Sequence, residues 1–69
     1  MTIKLVLEID CGNAAFGESP ESDEFGYEVA RILRHAAERF EQGYSSVYLN
    51  DINGNPVGFA SVKNSEEQP

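Results

Sequence analysis

The sequence predicts a two-layer α+β sandwich in the order strand, helix, strand, strand, with one helix packed on a three-stranded, mainly antiparallel sheet. Three observations carry that expectation. Residues 2–10 alternate apolar and polar almost strictly, residues 23–42 repeat apolar side chains at helical spacing, and residues 44–63 hold two β-rich runs around Asn53-Gly54-Asn55.

The first strand places Ile3, Leu5, Leu7 and Ile9 on one face and Lys4, Val6, Glu8 and Asp10 on the other. This is the period-two signature of a strand with one face on a core. Residues 11–22 contain Gly12, Gly17 and Pro20 among small polar residues and read as a loop. Ala14, Ala15 and Phe16 are too apolar for a free loop, so Phe16 is expected to fold back onto the rim of the core.

In the helix, Phe25, Val29, Ile32, Leu33, Ala36, Ala37 and Phe40 form one apolar stripe. Ser19 followed by Pro20 can open a helical turn with proline at its first position. Ser22 or Asp23 is an equally good cap for a later start, and Gly43 is the left-handed stop. Acids gather early and Arg31, Arg34 and Arg39 come later, matching the helix dipole. Arg34 and Glu38 are spaced for an exposed ion pair. The helix is expected to seat Val29, Ile32, Leu33, Ala36 and Phe40 on Leu5, Leu7 and one parity of the hairpin, which makes Leu33 and Leu5 core residues. The hairpin runs Ser46–Ile52 and Val57–Lys63, with Pro56 beside the turn or at a sheet edge because it lacks an N–H for the ladder. Residues 1–63 form a single domain, and 64–69 are expected to be a disordered polar tail.

Composition narrows the chemistry. Five Lys and Arg against twelve Asp and Glu leave a formal charge of −7 over 69 residues. A reader of nucleic acid needs clustered cations, so direct nucleic-acid binding is not expected, and neither is an anionic membrane surface. No apolar run is long enough for a transmembrane helix, and Met1–Lys4 does not open a secretory signal. The single cysteine, Cys11, points to a reducing cytoplasm, and no cofactor or metal is expected.

Candidate chemistry is sparse. Asp51-Ile52-Asn53-Gly54-Asn55 has a calcium-loop flavour, but glycine comes fourth rather than sixth and Val62 stands where the bidentate glutamate belongs. Turn formation, with Asp51 hydrogen-bonded to its own loop, accounts for it. A Cys11–His35 nucleophile pair lacks an orienting third group, and His35 falls on the solvated flank of the helix. An Asp10–Asp51 pair would need a pocket that desolvates one of them. No catalytic residue is assigned, and an enzyme is not expected.

Gly12-Asn13-Ala14-Ala15-Phe16, Glu28-Val29-Ala30-Arg31-Ile32-Leu33-Arg34 and the Leu49–Gly58 stretch together resemble a group of small bacteriophage and prophage proteins. That group shares an Asn-Ala-Ala-Phe-like loop, an Ala-Arg-Ile-Leu helix and an Asp-x-Asn-Gly-Asn hairpin. The resemblance covers residues 3–62. It implies an accessory phage gene expressed in the cytoplasm of a bacterial host, a setting in which inhibitors of host machinery or of host defence are common. It carries no assigned activity and no catalytic residue.

Two surfaces follow as candidate protein-binding sites. Glu18, Glu21, Asp23, Glu24 and Glu28 form an acidic stretch, read either as helix capping and solvation or as a patch that docks on a basic host protein or complex. Whichever parity faces the helix, apolar residues remain on the far side of the sheet, with Val6, Tyr48 and Phe59 the expected contacts. Two functional expectations result. One is a non-enzymatic protein that binds and inhibits a host complex, of anti-CRISPR or anti-restriction type. The alternative is a structural or self-assembling protein that forms a homodimer through the bare sheet face.

Overall fold

A computed structural model describes residues 2–65. The expected order is present: β1 (Thr2–Ile9), a 3-10 turn (Ala14–Phe16), α1 (Asp23–Glu41), β2 (Ser46–Asn50) and β3 (Pro56–Ser65). The fold is the α+β sandwich, one helix on a three-stranded antiparallel sheet.

Local chemistry sets the element ends. Ser22 is the N-cap of α1, and its Oγ accepts the Phe25 N–H at 3.2 Å. Gly43 takes φ +99°, where a side chain would be strained, and donates its N–H to Phe40 O at 3.0 Å. Asn13 caps the 3-10 turn, its Oδ1 accepting the Ala15 N–H at 2.8 Å. That cap turns the loop inward and places Phe16 with no exposed surface, at the centre of the core rather than its rim.

The sheet order is β1-β3-β2, with both pairings antiparallel. The central strand is therefore the last in sequence, and β1 and β2 are parallel edge strands. Leu7, Ala60 and Val47 share one row across the sheet, and Glu8, Phe59 and Tyr48 share the next. Directly opposed residues lie on the same face, so these rows belong to opposite faces. Pro56 opens β3 opposite Asn50, beside the turn as expected, although β3 is the central strand. Between Pro56 and Gly58 the register slips and Val57 has no opposite number on β2. This bulge turns Val57 into the core. Gly58 lies so close to β1 that a Cβ would run into the Glu8 carbonyl oxygen.

The core consists of Phe16, Ile32, Ala36, Val47, Leu49 and Val57, with Ile9, Cys11, Ala15, Phe25, Val29 and Phe40 packed around it. The helix thus seats on β2 and on the Ala14–Phe16 turn. Leu33 is 43% exposed and Leu5 60% exposed, so neither is the core residue the sequence predicts. The reason is rotation. Leu33 lies about 100° round the helix from Ile32, while Glu28 on the other flank is buried. Polar partners at the β2 end draw the Glu28 flank inward and carry Leu33 out.

Two further expectations change. The Arg34–Glu38 ion pair is absent among the described residues, where the ion pair is Glu28–Arg31. Asn64 and Ser65 pair with Ile3 and Thr2, so β3 takes in the first two residues of the predicted tail. Residues 66–69 lie outside the described residues.

Candidate functional site

The three segments that stand out in the sequence, around Asn13, Glu28 and Asp51, meet at one polar junction. Asp51 is buried. Its Oδ1 accepts the backbone N–H groups of Asn53 and Asn55, each at 2.9 Å. Its Oδ2 accepts the side-chain amides of Asn13 at 2.8 Å and Asn55 at 3.2 Å. The hairpin tip therefore folds round Asp51, and β2 stops at Asn50 instead of reaching Ile52.

Glu28 is the second anchor. Arg31 grips it through two hydrogen bonds, Nε to Oε1 at 3.0 Å and Nη2 to Oε2 at 2.9 Å. Oε2 also accepts the Ile52 N–H at 2.7 Å, and Arg31 Nη2 reaches on to Asn50 O at 3.0 Å. One helical turn thus holds the backbone on either side of Asp51, where β2 enters the hairpin tip. The Arg31 hydrogen bonds bring the Glu28 pKa below its ordinary value, against the opposing cost of burial, with the Ile52 N–H helping. For Asp51, burial raises the pKa, but the donors from Asn55, Asn53 and Asn13 outweigh it and bring the value down. Both groups are held as carboxylates by donors on each carboxyl oxygen, the opposite of a general acid or base poised for work.

This assignment corrects the acidic stretch. Glu28 is buried against Arg31 and is not part of a partner-facing patch. Glu18, Glu21, Asp23 and Glu24 are exposed around the start of α1, as expected. The clue to Glu28 was its place in the sequence, three residues before Arg31 and four before the core residue Ile32, on the apolar stripe itself.

The remaining reactive side chains do not assemble. Cys11 packs against the core, and burial together with Asp10 raises its thiol pKa, which disfavours the thiolate. His35 is exposed on α1. Asp10 is exposed and its Oδ1 accepts the Gly12 N–H at 3.0 Å, whereas Asp51 is committed to its own turn. Among the described residues, no group of three or more His, Cys, Asp and Glu is arranged to hold a metal ion. No helix among them is long and apolar enough to cross a membrane.

The open face of the sheet collects the other predicted contacts. Tyr48 and Phe59 are cross-strand partners, Glu8 continues their row, and Val6 lies two rows along on the same face with Ser61 and Ser46. Tyr48 is 84% exposed and Phe59 37%. A shallow depression of about 230 Å³ is lined by Ser46, Val47, Tyr48 and Phe59. Phe16 is engaged in the core on the other face, and Tyr44 lies beneath the Arg39 guanidinium, 5.7 Å from its ring centre. Neither covers Tyr48. Comparison with protein-family models, curated proteins and solved structures returns no match.

Proposed function

We propose that this chain is a non-enzymatic protein-binding module, a phage-type accessory protein that docks on a host protein complex and inhibits it, with host defence complexes as the target class. The observation that carries the reading is the Tyr48–Phe59 pair on the open sheet face. An exposed aromatic pair beside a shallow hollow is the kind of surface that supplies binding energy to a protein contact. Glu18, Glu21, Asp23 and Glu24 add a negative field that speeds encounter with a basic partner. The engagement of Glu28 and Asp51 in the hairpin junction supports a non-catalytic role, as does the protonated state favoured for Cys11.

The test is protection of an infecting phage. Bacteria that carry a CRISPR or restriction system are challenged with a targeted phage while expressing the wild-type chain, Tyr48→Ser or Phe59→Ser. The expected result is higher plating efficiency with wild type and loss of that gain in both variants, with folding checked by circular dichroism. No gain against any system tested, or a gain that both variants retain, overturns the reading.

A further inference from the structure

Among the described residues β1 pairs only with β3, which leaves its outer edge without a strand partner there. Its backbone polarity can be assigned from two hydrogen bonds. Asp10 donates its N–H to Val57 O of β3, and Val62 of β3 donates towards Ser45 on the β2 side. In an antiparallel ladder successive residues point their N–H and C=O groups to opposite sides. Val6, Glu8 and Asp10 therefore face β3, and Ile3, Leu5 and Leu7 present theirs to the open edge.

The side chains of this strand are arranged with a two-fold logic. Around Val6 the sequence reads Ile3-Lys4-Leu5-Val6-Leu7-Glu8-Ile9. It is symmetric in apolar residues and antisymmetric in charge. An antiparallel pairing of two copies centred on Val6 sets Ile3 opposite Ile9, Leu5 opposite Leu7 and Lys4 opposite Glu8. Each contact occurs twice, as an isologous interface requires. In this register Leu5 and Leu7 of the two copies form hydrogen-bonded pairs with the amides that point outward. Lys4 and Glu8 fall in non-hydrogen-bonded pairs, where side chains stand closest.

Two features that are unfavourable in the single chain are relieved by that pairing. Lys4 sits directly across from Lys63 in the β1–β3 ladder, a like-charge pair. Glu8 of a second copy would lie on the other side of Lys4. On the helix side of the sheet, α1 leaves Ile3, Leu5, Leu7 and Val62 exposed, at 65, 60, 36 and 43%. In the paired sheet the β1 members of this group gain the matching residues of the second copy as neighbours. A long, bare apolar edge is otherwise an aggregation hazard.

We infer that this protein forms a symmetric dimer by antiparallel β1–β1 pairing centred on Val6. The product is a six-stranded sheet in the order β2-β3-β1-β1-β3-β2, and it leaves Tyr48 and Phe59 of both copies free. The inference does not depend on the proposed host target, since it concerns only a second copy of this chain.

The experiment is analytical ultracentrifugation from micromolar to millimolar concentration at low salt. Wild type is expected to sediment as a dimer at the upper end. Lys4→Glu and Glu8→Lys, each of which places like charges across the interface, should weaken dimerisation by about tenfold or more. The double swap, Lys4→Glu with Glu8→Lys, should restore it, which also excludes misfolding as the cause. A second measurement places a thiol on the two-fold axis. Val6→Cys in a Cys11→Ser background should close a disulfide between copies under mild oxidation, because facing Cβ atoms in a non-hydrogen-bonded pair are within disulfide reach. A wild-type monomer throughout the range overturns the inference. So does a dimer indifferent to the single swaps, or a Val6→Cys variant that stays uncrosslinked.

Discussion

The Asn13 side-chain amide donates to Asp51 Oδ2 at 2.8 Å across a sequence separation of 38 residues. The same asparagine uses its Oδ1 to cap the 3-10 turn that delivers Phe16 to the core. One side chain thus couples the loop before the helix to the hairpin after it. Buried polar groups in such a network stabilise only when each is satisfied, and removal of one member leaves the others unpaired.

That coupling predicts non-additivity. Asn13→Ala and Asp51→Ala should each lower the melting temperature, and the double variant should lose clearly less than the sum of the two. Thermal denaturation of the four chains reads the cycle. Simple additivity would mean that the 2.8 Å contact carries no energy of its own.

Acid should undo the junction. Glu28 and Asp51 both have folded pKa values below their ordinary ones. The unfolded chain therefore binds protons first, and protonation favours unfolding. Stability from these groups is fully present well above the unfolded carboxylate range, about pH 4. It is lost as pH falls through that range towards the lower folded values. Urea midpoints measured from pH 7 down to pH 3 should drop in wild type. The drop should be shallower for Glu28→Gln, whose stability at pH 7 is already reduced because Arg31 and the Ile52 N–H lose their carboxylate.

Neighbouring helix residues should respond very differently to truncation. Ile32 is 1% exposed and sits in the core, so Ile32→Ala should cost about 2–5 kcal/mol. Leu33 is 43% exposed, and Leu33→Ala should cost about 1 kcal/mol or less. Chemical denaturation of the two variants checks the rotation of α1 directly.

Two glycine-to-alanine changes should have opposite signs. Gly26 is in the exposed first turns of α1 with open space where a Cβ would stand. Gly26→Ala should stabilise by about 0.5–1 kcal/mol. Gly58→Ala would push a methyl group into the Glu8 backbone and separate β1 from β3. Loss of amide protection along Thr2–Ile9 in hydrogen exchange is the expected readout.

The acidic surface should matter for encounter rather than for folding. Glu21, Asp23 and Glu24 are exposed, and exposed charges contribute little individually to stability. The triple variant Glu21→Gln, Asp23→Asn, Glu24→Gln should unfold close to the wild-type midpoint. Its association with a basic partner should be slower and less sensitive to salt.

The alternation of residues 2–10, the helical stripe, the Ser22 cap, the Gly43 stop and the Asn-Gly-Asn turn are local signals. Each acts through a few neighbouring residues, so the sequence by itself determined the strands and the helix, their order and the two faces of β1. The sequence left open which parity of the hairpin faces the helix. The pairing of Tyr48 with Phe59 on the open face depends on the register of β2 on β3 and on the bulge that sends Val57 into the core. The tertiary structure alone decided the strand order and the rotation of the helix. Placing β3 in the centre leaves β1 at an edge beyond the reach of a single helix, so Leu5 is exposed despite its ideal pattern. Turning Glu28 inward required partners from Asn50 and Ile52, more than twenty residues further along the chain in the case of Ile52. A carboxylate on an apolar stripe reads as surface until the hydrogen-bond donors that compensate its burial are in place, and only the folded chain brings them there.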